Sequence, residues 1–456
     1  MTASTSHSVP PLSCAASSAR PGPLARLVHV CWLLSITTLV SFSGFLRDLV
    51  LGWQMGPGIR LDTFLLGTGA PLFVAGCAGA AFNLLCVPQL QTWAATHPRD
   101  EAAALERVLF WQYVRWVSIA FVILLVLAPL LEVLLRTGFR YEKTLLTMKV
   151  AMATILPAWC FSLSQAALTL LQRDGKRPLL LLTNTGMPAG VALAALASFS
   201  LSHVVLGLAL GAALQLGILL TVLHREGHDQ LFKGALFFKA PVPQVKATAL
   251  LALGSVICLS LPGLLELSYS GLLGLAGTSR YSYGVKVPGA LCAIVGSALS
   301  WKLLARFSQA AAEQQWQTLR HDWARALLGL TLAASSVAVI GHFCSPLIVK
   351  ALFMRGNFAE ADAEVAISVQ KWAFWLFPLI LMSLTGQRLL AALRSPRALF
   401  AGSMAGLVFC GIAGVLLTSH RGYVGLIWSM LLTHVVFALS FNGLGFWLLN
   451  KKQQEV

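Results

Sequence analysis

The sequence predicts an all-α polytopic membrane protein with about twelve transmembrane helices, arranged as two lobes of about six each. Three observations predict this. First, 57% of the 456 residues are hydrophobic and only 11% are charged, with a mean hydropathy of +0.76. A water-soluble protein carries about 25% charged residues, so this chain has too little polar surface to cover a soluble particle. Second, the apolar residues gather into blocks that reach the ~20 residues a helix needs to cross a ~30 Å hydrocarbon core. Third, loops rich and poor in lysine and arginine alternate along the chain, as they do when a chain threads a membrane. The net charge of +16 would suggest a nucleic-acid partner in a soluble protein. Here the cations sit in short loops, where they orient the chain and meet anionic head groups. No nucleic-acid partner is expected.

Residues 1–26 are rich in Ser, Ala and Pro and are expected to form a disordered cytoplasmic tail. The apolar block that follows is longer than a signal-peptide core and has no clean cleavage site, so it reads as a retained first helix. Helices are expected near 27–54, 61–90, 106–135, 143–172, 178–200 and 203–224, giving an N-terminal lobe over 27–224. A polar connection over 225–246 carries Lys233, Lys239 and Lys246. Helices near 247–273, 280–307, 323–353, 362–391, 397–418 and 423–449 give a C-terminal lobe over 247–450. Several are longer than a bilayer needs and are expected to tilt or protrude. Pro71, Pro157, Pro188, Pro262, Pro288 and Pro378 fall inside these helices. Such breaks are ordinary packing kinks in bundles and are also common in transporters. The nine cysteines form no CxxC pair and the ten histidines no HExxH spacing, so no disulfide and no metal site are expected.

With the N-terminus in the cytoplasm, that side holds about twenty loop cations and the other side about eight, Arg60, Lys143 and Arg355 among them. Both termini are therefore expected to be cytoplasmic, which requires an even number of crossings.

Ionisable residues at membrane depth are costly and usually face a cavity or a partner. The candidates are Arg47, Asp48, Asp62, Arg115, Lys149, Glu266, Lys286 and Lys371. Arg115 and Lys149 lie close enough to helix ends to snorkel. Asp62 can cap its own helix, or join Arg47 and Asp48 in stapling the first two helices. Glu266 and Lys286 are expected to face the interior and can pair across the seventh and eighth helices. Cations outnumber anions in this set, so a cavity lined by it attracts an anion, with phosphate the natural choice. No G-x-x-x-x-G-K-S/T segment stands in the loops. An ion gradient, the membrane potential or substrate flux is therefore expected to drive any cycle, and no cofactor is expected.

At these residues the sequence resembles the MurJ/MviN family, within the MOP superfamily of flippases and multidrug exporters. The stretch SFSGFLRDLVLGWQMGPGIRLDTFLL is similar to the family's first-helix pattern, an Arg-Asp pair followed by a small-residue turn and Asp-x-Phe. Here these are Arg47-Asp48 and Asp62-Thr63-Phe64. Pro71 and Val87-Pro88 continue the pattern. Tyr283 to Ser300 resembles the family's eighth helix, and LFMRGNF, from Leu352 to Phe358, its loop before the tenth. The resemblance implies a V-shaped, MATE-like bundle around a central cationic cavity in the bacterial inner membrane. It implies a flippase without covalent chemistry, carrying an undecaprenyl-pyrophosphate-linked glycan to the outer leaflet by alternating access. That glycan is lipid II or an exopolysaccharide precursor. Arg47, Arg280, Lys286 and Lys371 are the implied cavity cations, and Asp48, Asp62 and Glu266 the acidic partners or coupling groups. A cation or the membrane potential resets the cycle. The implied partners are the polyprenyl-linked saccharide, the bilayer and enzymes of cell-envelope synthesis.

Four departures stand out. A second family Arg before the Arg-Asp pair is Ser41 here, and a basic pair after the second-helix Pro is replaced by LFVAGCAGAAF. The eighth-helix Arg and acid are replaced by Tyr283 and Lys286. Two helices that form a lipid groove in lipid II flippases are missing from the expected set. Two other functions compete: a cation-coupled multidrug exporter on the same fold, and a non-transporting scaffold for a cell-envelope synthesis complex.

Overall fold

The computed structural model describes residues 23–96, 99–135, 141–172, 178–198, 200–226 and 247–454. The expected tail up to residue 22 and the expected connection over 227–246 lie outside the described residues. Helices α1 (Pro23–Met55), α2 (Ile59–Thr96), α3 (Arg99–Leu135) and α4 (Tyr141–Gln172) come first. A 3₁₀ segment, Pro178–Thr185, leads into α5 (Gly186–Ala197), and α6 (Leu201–Arg225) follows. The second half holds α7 (Ala247–Leu272), α8 (Gly277–Ala312), α9 (Trp316–Phe353), α10 (Glu360–Ala373), α11 (Leu376–Ala392) and α12 (Pro396–Gln454). The described residues contain no strand. In a bilayer, helices satisfy every backbone N–H and C=O within one segment.

The expected spans are found, although α3 begins at Arg99 rather than 106 and α9 at Trp316 rather than 323; four further differences stand out. Helix α1 begins at Pro23 rather than residue 27, because proline's fixed φ and missing N–H suit the first helical position. The fifth span opens as a 3₁₀ segment, in which Thr183 and Thr185 hydroxyls bond the carbonyls of Leu180 and Leu182, both at 2.7 Å. The tenth span is broken at Phe374 and Trp375 into α10 and α11. Pro378 cannot donate to the Phe374 carbonyl four residues earlier; the Phe377 N–H takes it instead at 3.2 Å. The eleventh and twelfth spans form one helical run of 59 residues. Straight, it would be ~90 Å long, but Gly422 sits inside it at φ 57°, ψ −132°. A Cβ at Gly402 would meet Phe441, and one at Gly406 would meet Phe437. The run therefore folds back on itself and crosses twice.

Nine helical stretches among the described residues are long and apolar enough to cross a membrane. The α12 run counts once there but crosses twice. Helices α1 and α8 fall outside that set, and α8 is polar early on, through Thr278, Ser279, Arg280, Ser282 and Lys286. That polar stretch meets the other half of the molecule.

Helices α2 to α6 pack on one another, with α1 on α5, and α7 to α12 form a second group. The groups meet where α1 lies on α8 and α2 on α7. One described apolar cluster crosses this boundary, joining Leu51, Leu61 and Phe64 to Tyr283, Phe353 and Phe358. It sits at the end of the bundle remote from the termini, hereafter the distal end. The other described clusters stay within one lobe.

Candidate functional site

The distal boundary is fastened by a buried ion pair. Asp62 in the first turn of α2 and Lys143 in the first turn of α4 meet at 2.8 Å, both almost fully shielded. Both also reach the second lobe. Asp62 accepts the backbone N–H groups of Thr278 at 3.1 Å and Ser279 at 2.6 Å, so it caps the start of α8. Lys143 donates to the carbonyls of Gly271 at 3.1 Å and Gly274 at 2.7 Å, at the end of α7 and just past it. A carboxylate at a helix start and an ammonium at a helix end both complement the helix dipole. One charged pair from the first lobe thus clasps the α7–α8 turn of the second.

Beside the clasp, the end of α1 grips the α9–α10 connection. The Trp53 indole N–H donates to the Leu352 carbonyl at 2.9 Å. Asn357 donates from its backbone to the Trp53 carbonyl at 3.2 Å and from its side chain to Gln54 at 2.7 Å. Arg355 lies over the Trp53 ring, 5.8 Å from its centroid.

One level deeper lies a cluster of three charges between α1 and α8. The Asp48 carboxylate, buried, pairs with Arg47 at 2.7 Å and with Lys286 at 2.6 Å. The two cations keep 22% and 24% of their side chains exposed, so the cluster is reachable and carries one net positive charge. The Tyr283 hydroxyl donates to the Asp48 carbonyl at 2.9 Å, and its ring packs on Phe353 and Phe358. One turn nearer the termini, on the same helix faces, a Cβ at Gly44 or Gly289 would meet nothing within 4 Å. The cluster therefore stands where the sealed layer gives way to open space.

The remaining expected residues are dispersed. Arg280 pairs with Asp362 of α10 at 2.6 Å, inside the second lobe. Lys371 is half-buried on α10, makes no ion pair with a described residue, and offers its backbone carbonyl to His342. Glu266 does not pair with Lys286 as expected; it accepts a hydrogen bond from the Tyr281 hydroxyl, while Lys286 is drawn to Asp48 across the lobes. Asp62 neither caps its own helix nor joins Arg47 and Asp48, because the ends of α7 and α8 arrive with Lys143 to claim it. Lys143, read from sequence as a loop cation, was missed, as were Trp53, Tyr283 in its bridging role, Asn357 and Asp362. Nothing local marks them, since their partners lie tens to hundreds of residues away.

A family model described as lipid II flippase MurJ matches residues 54–454. The chain belongs to the MurJ family. No curated protein matches its sequence. Among solved structures, a lipid II flippase MurJ in an inward closed conformation aligns with TM-score 0.70 at 15% identity, over 90% of this chain and 86% of that one. An inward-facing MATE multidrug-resistance transporter of the MOP superfamily aligns with TM-score 0.68 at 13% identity, over 93% and 99%. A MOP superfamily transporter from Pyrococcus furiosus, whose binding pocket is described as reversed in polarity, aligns with TM-score 0.64 at 13% identity, over 94% and 96%. These likenesses show that the chain shares the fold of the MurJ and MATE structures. Within this MurJ-family chain, Tyr283 and Lys286 of α8 both reach α1 across the lobes. The aromatic ring fills the lobe boundary, and the lysine supplies the cation that pairs with Asp48.

Proposed function

We propose that this chain is a lipid-linked glycan flippase of the bacterial inner membrane, with both termini cytoplasmic and the clasped distal end facing outward. Its membership of the MurJ family carries this reading. The substrate is a polyprenyl-pyrophosphate-linked saccharide, and enzymes of cell-envelope synthesis supply it and use it.

A pyrophosphate entering from the cytoplasmic side meets Arg47 and Lys286 first. Both are shared with Asp48, and a diphosphate offers them more negative charge and more acceptors than one carboxylate. Drawing Lys286 off Asp48 loosens α1 from α8, the seam that supports the clasp. Release on the far side then requires Asp62 and Lys143 to leave the α7–α8 turn. Substrate binding and gate opening are coupled through this shared carboxylate. Glu266, held by Tyr281 and without a cationic partner among the described residues, is the group offered to a coupling cation.

The experiment is depletion of the protein in its own host. Lipid-linked precursor should accumulate, and the fraction open to a membrane-impermeant enzyme or label should fall. Precursor that stays equally exposed on the outer leaflet overturns the reading.

A further inference from the structure

The distal end of the first lobe carries a cavity apart from the Arg47–Asp48–Lys286 cluster. It encloses roughly 780 Å³ and is lined by Arg60 of α2, Lys149 of α4, and Ser198, Ser200 and Ser202 around the α5–α6 turn. Arg60 and Lys149 are both exposed, and neither makes an ion pair with a described residue. Ser200, the N-cap of the 25-residue α6, makes no side-chain cap hydrogen bond. The start of α6 therefore adds its partial positive charge to the two cations. Two cations without an ion pair among the described residues and a helix start make a wall that suits a phosphate, lined further by serine hydroxyls that hydrogen-bond to one another and to His203.

A second cavity, roughly 840 Å³ and mostly apolar, adjoins the first at Ser198 and runs down the seam between α5 and α6. Backbone meets backbone in this seam: a Cβ at Gly190 would lie 2.2 Å from the Gly207 carbonyl, and one at Gly211 2.4 Å from that of Gly186. With no side chains to fill it, the seam stays a groove, rimmed by exposed Leu193, Leu206, Leu210 and Leu214. From His203 to Ile218 the groove follows ~23 Å of helix, which exceeds the ~15 Å half-thickness of a hydrocarbon core.

We propose that the two cavities form one site for an anionic glycerophospholipid of the surrounding leaflet. Its phosphate rests on Arg60 and Lys149, and an acyl chain lies in the α5–α6 seam. Every lining residue belongs to the first lobe, and the exposed leucines along the α5–α6 seam are the face offered to the bilayer. A lipid held there ties α2 to α4. These helices supply Asp62 and Lys143, so the lipid braces the first-lobe half of the clasp. The inference does not depend on what the protein transports.

The test uses the full chain in zwitterionic nanodiscs or micelles titrated with phosphatidylglycerol. Thermal melting and lipid retention in native mass spectra are the readouts. Phosphatidylglycerol should raise the melting temperature and be retained over phosphatidylcholine by about tenfold, since each cation near the surface contributes to binding an anionic head. Arg60→Gln combined with Lys149→Gln should bring that preference to parity. Leu210→Trp, an exposed position where the added ring occupies the groove, should do the same by a different route. The proposal is overturned if the parent chain shows no preference, or if both variants keep it. It is also overturned if inorganic phosphate alone reproduces the stabilisation, or if a prenyl diphosphate displaces phosphatidylglycerol at equal concentration.

Discussion

Lys143 is an ammonium with almost no access to water, and it donates to the carboxylate of Asp62 as well as to the carbonyls of Gly271 and Gly274. Removing one member of such a pair leaves the other buried and uncompensated, a loss of about 3–5 kcal/mol. Lys143→Met is therefore expected to lower the melting temperature sharply in detergent. Asp62→Leu with Lys143→Leu should cost clearly less than the two single changes added together, because neither charge is then stranded. Strict additivity in that cycle would mean the pair does not act as a unit. Recovery should be incomplete, since Thr278 and Ser279 lose their acceptor wherever Asp62 is replaced. A second expectation concerns Lys286. Lys286→Arg should sustain flipping, whereas Lys286→Glu, which sets a second carboxylate against Asp48, should reduce it by at least about tenfold. Complementation of a depleted strain reads this directly, and a fully active Lys286→Glu chain would remove the cluster from the mechanism. The sequence made the residues of this cluster legible because charge inside an apolar block is costly and visible. It did not make their pairing legible. Glu266 and Lys286 are close in sequence, yet Lys286 is satisfied by Asp48, from a helix more than two hundred positions away.

Hydrophobic block length fixed the helices well, because the bilayer sets the length and no competing element survives in it. What escaped it were the joints. Pro378 lay in plain view, but whether a proline merely kinks a span or splits it, as between α10 and α11, depends on which neighbour takes the freed carbonyl. The reversal at Gly422 is likewise set by backbone geometry rather than composition. Its φ and ψ lie in a region that side chains with a Cβ rarely adopt. Gly422→Ala is expected to cost about 1–3 kcal/mol in backbone strain. Gly411→Ala, in the same run but helical and facing open space, should be close to neutral. Equal melting temperatures for the two variants would show that the turn tolerates other conformations. The α5–α6 seam offers a parallel case. Gly190→Ala would drive a methyl into the Gly207 carbonyl and should separate the helices, while Gly217→Ala meets nothing and should not.

For the whole molecule, the deciding quantity is the equilibrium between the distally sealed state and a state with the lobes parted there. Among the described residues the sealed layer is thin: one apolar cluster, one buried ion pair and the Trp53–Asn357 grip. A wedge in that layer should shift the balance without touching a charge. Gly52 of α1 provides the position, because a Cβ there would lie 2.7 Å from the Tyr283 hydroxyl. Tyr283 cannot swing away freely, since Phe353 and Phe358 hold its ring at centroid distances of 5.0 Å and 5.3 Å. Overpacking of this kind costs about 1–3 kcal/mol, and every 1.4 kcal/mol changes a two-state ratio about tenfold. Ser279, fully buried beneath the clasp, can report the change once the nine native cysteines are replaced and Ser279→Cys is introduced. A thiol reagent on the distal side should label it slowly in the parent and about tenfold faster or more with Gly52→Leu. Gly44→Leu lies two turns away on the same face of α1, where a Cβ meets nothing within 4 Å, and should leave the rate unchanged. If both leucines raise labelling alike, the seal is not held at the Gly52–Tyr283 contact. If neither does, the lobes are fastened more strongly than these contacts account for.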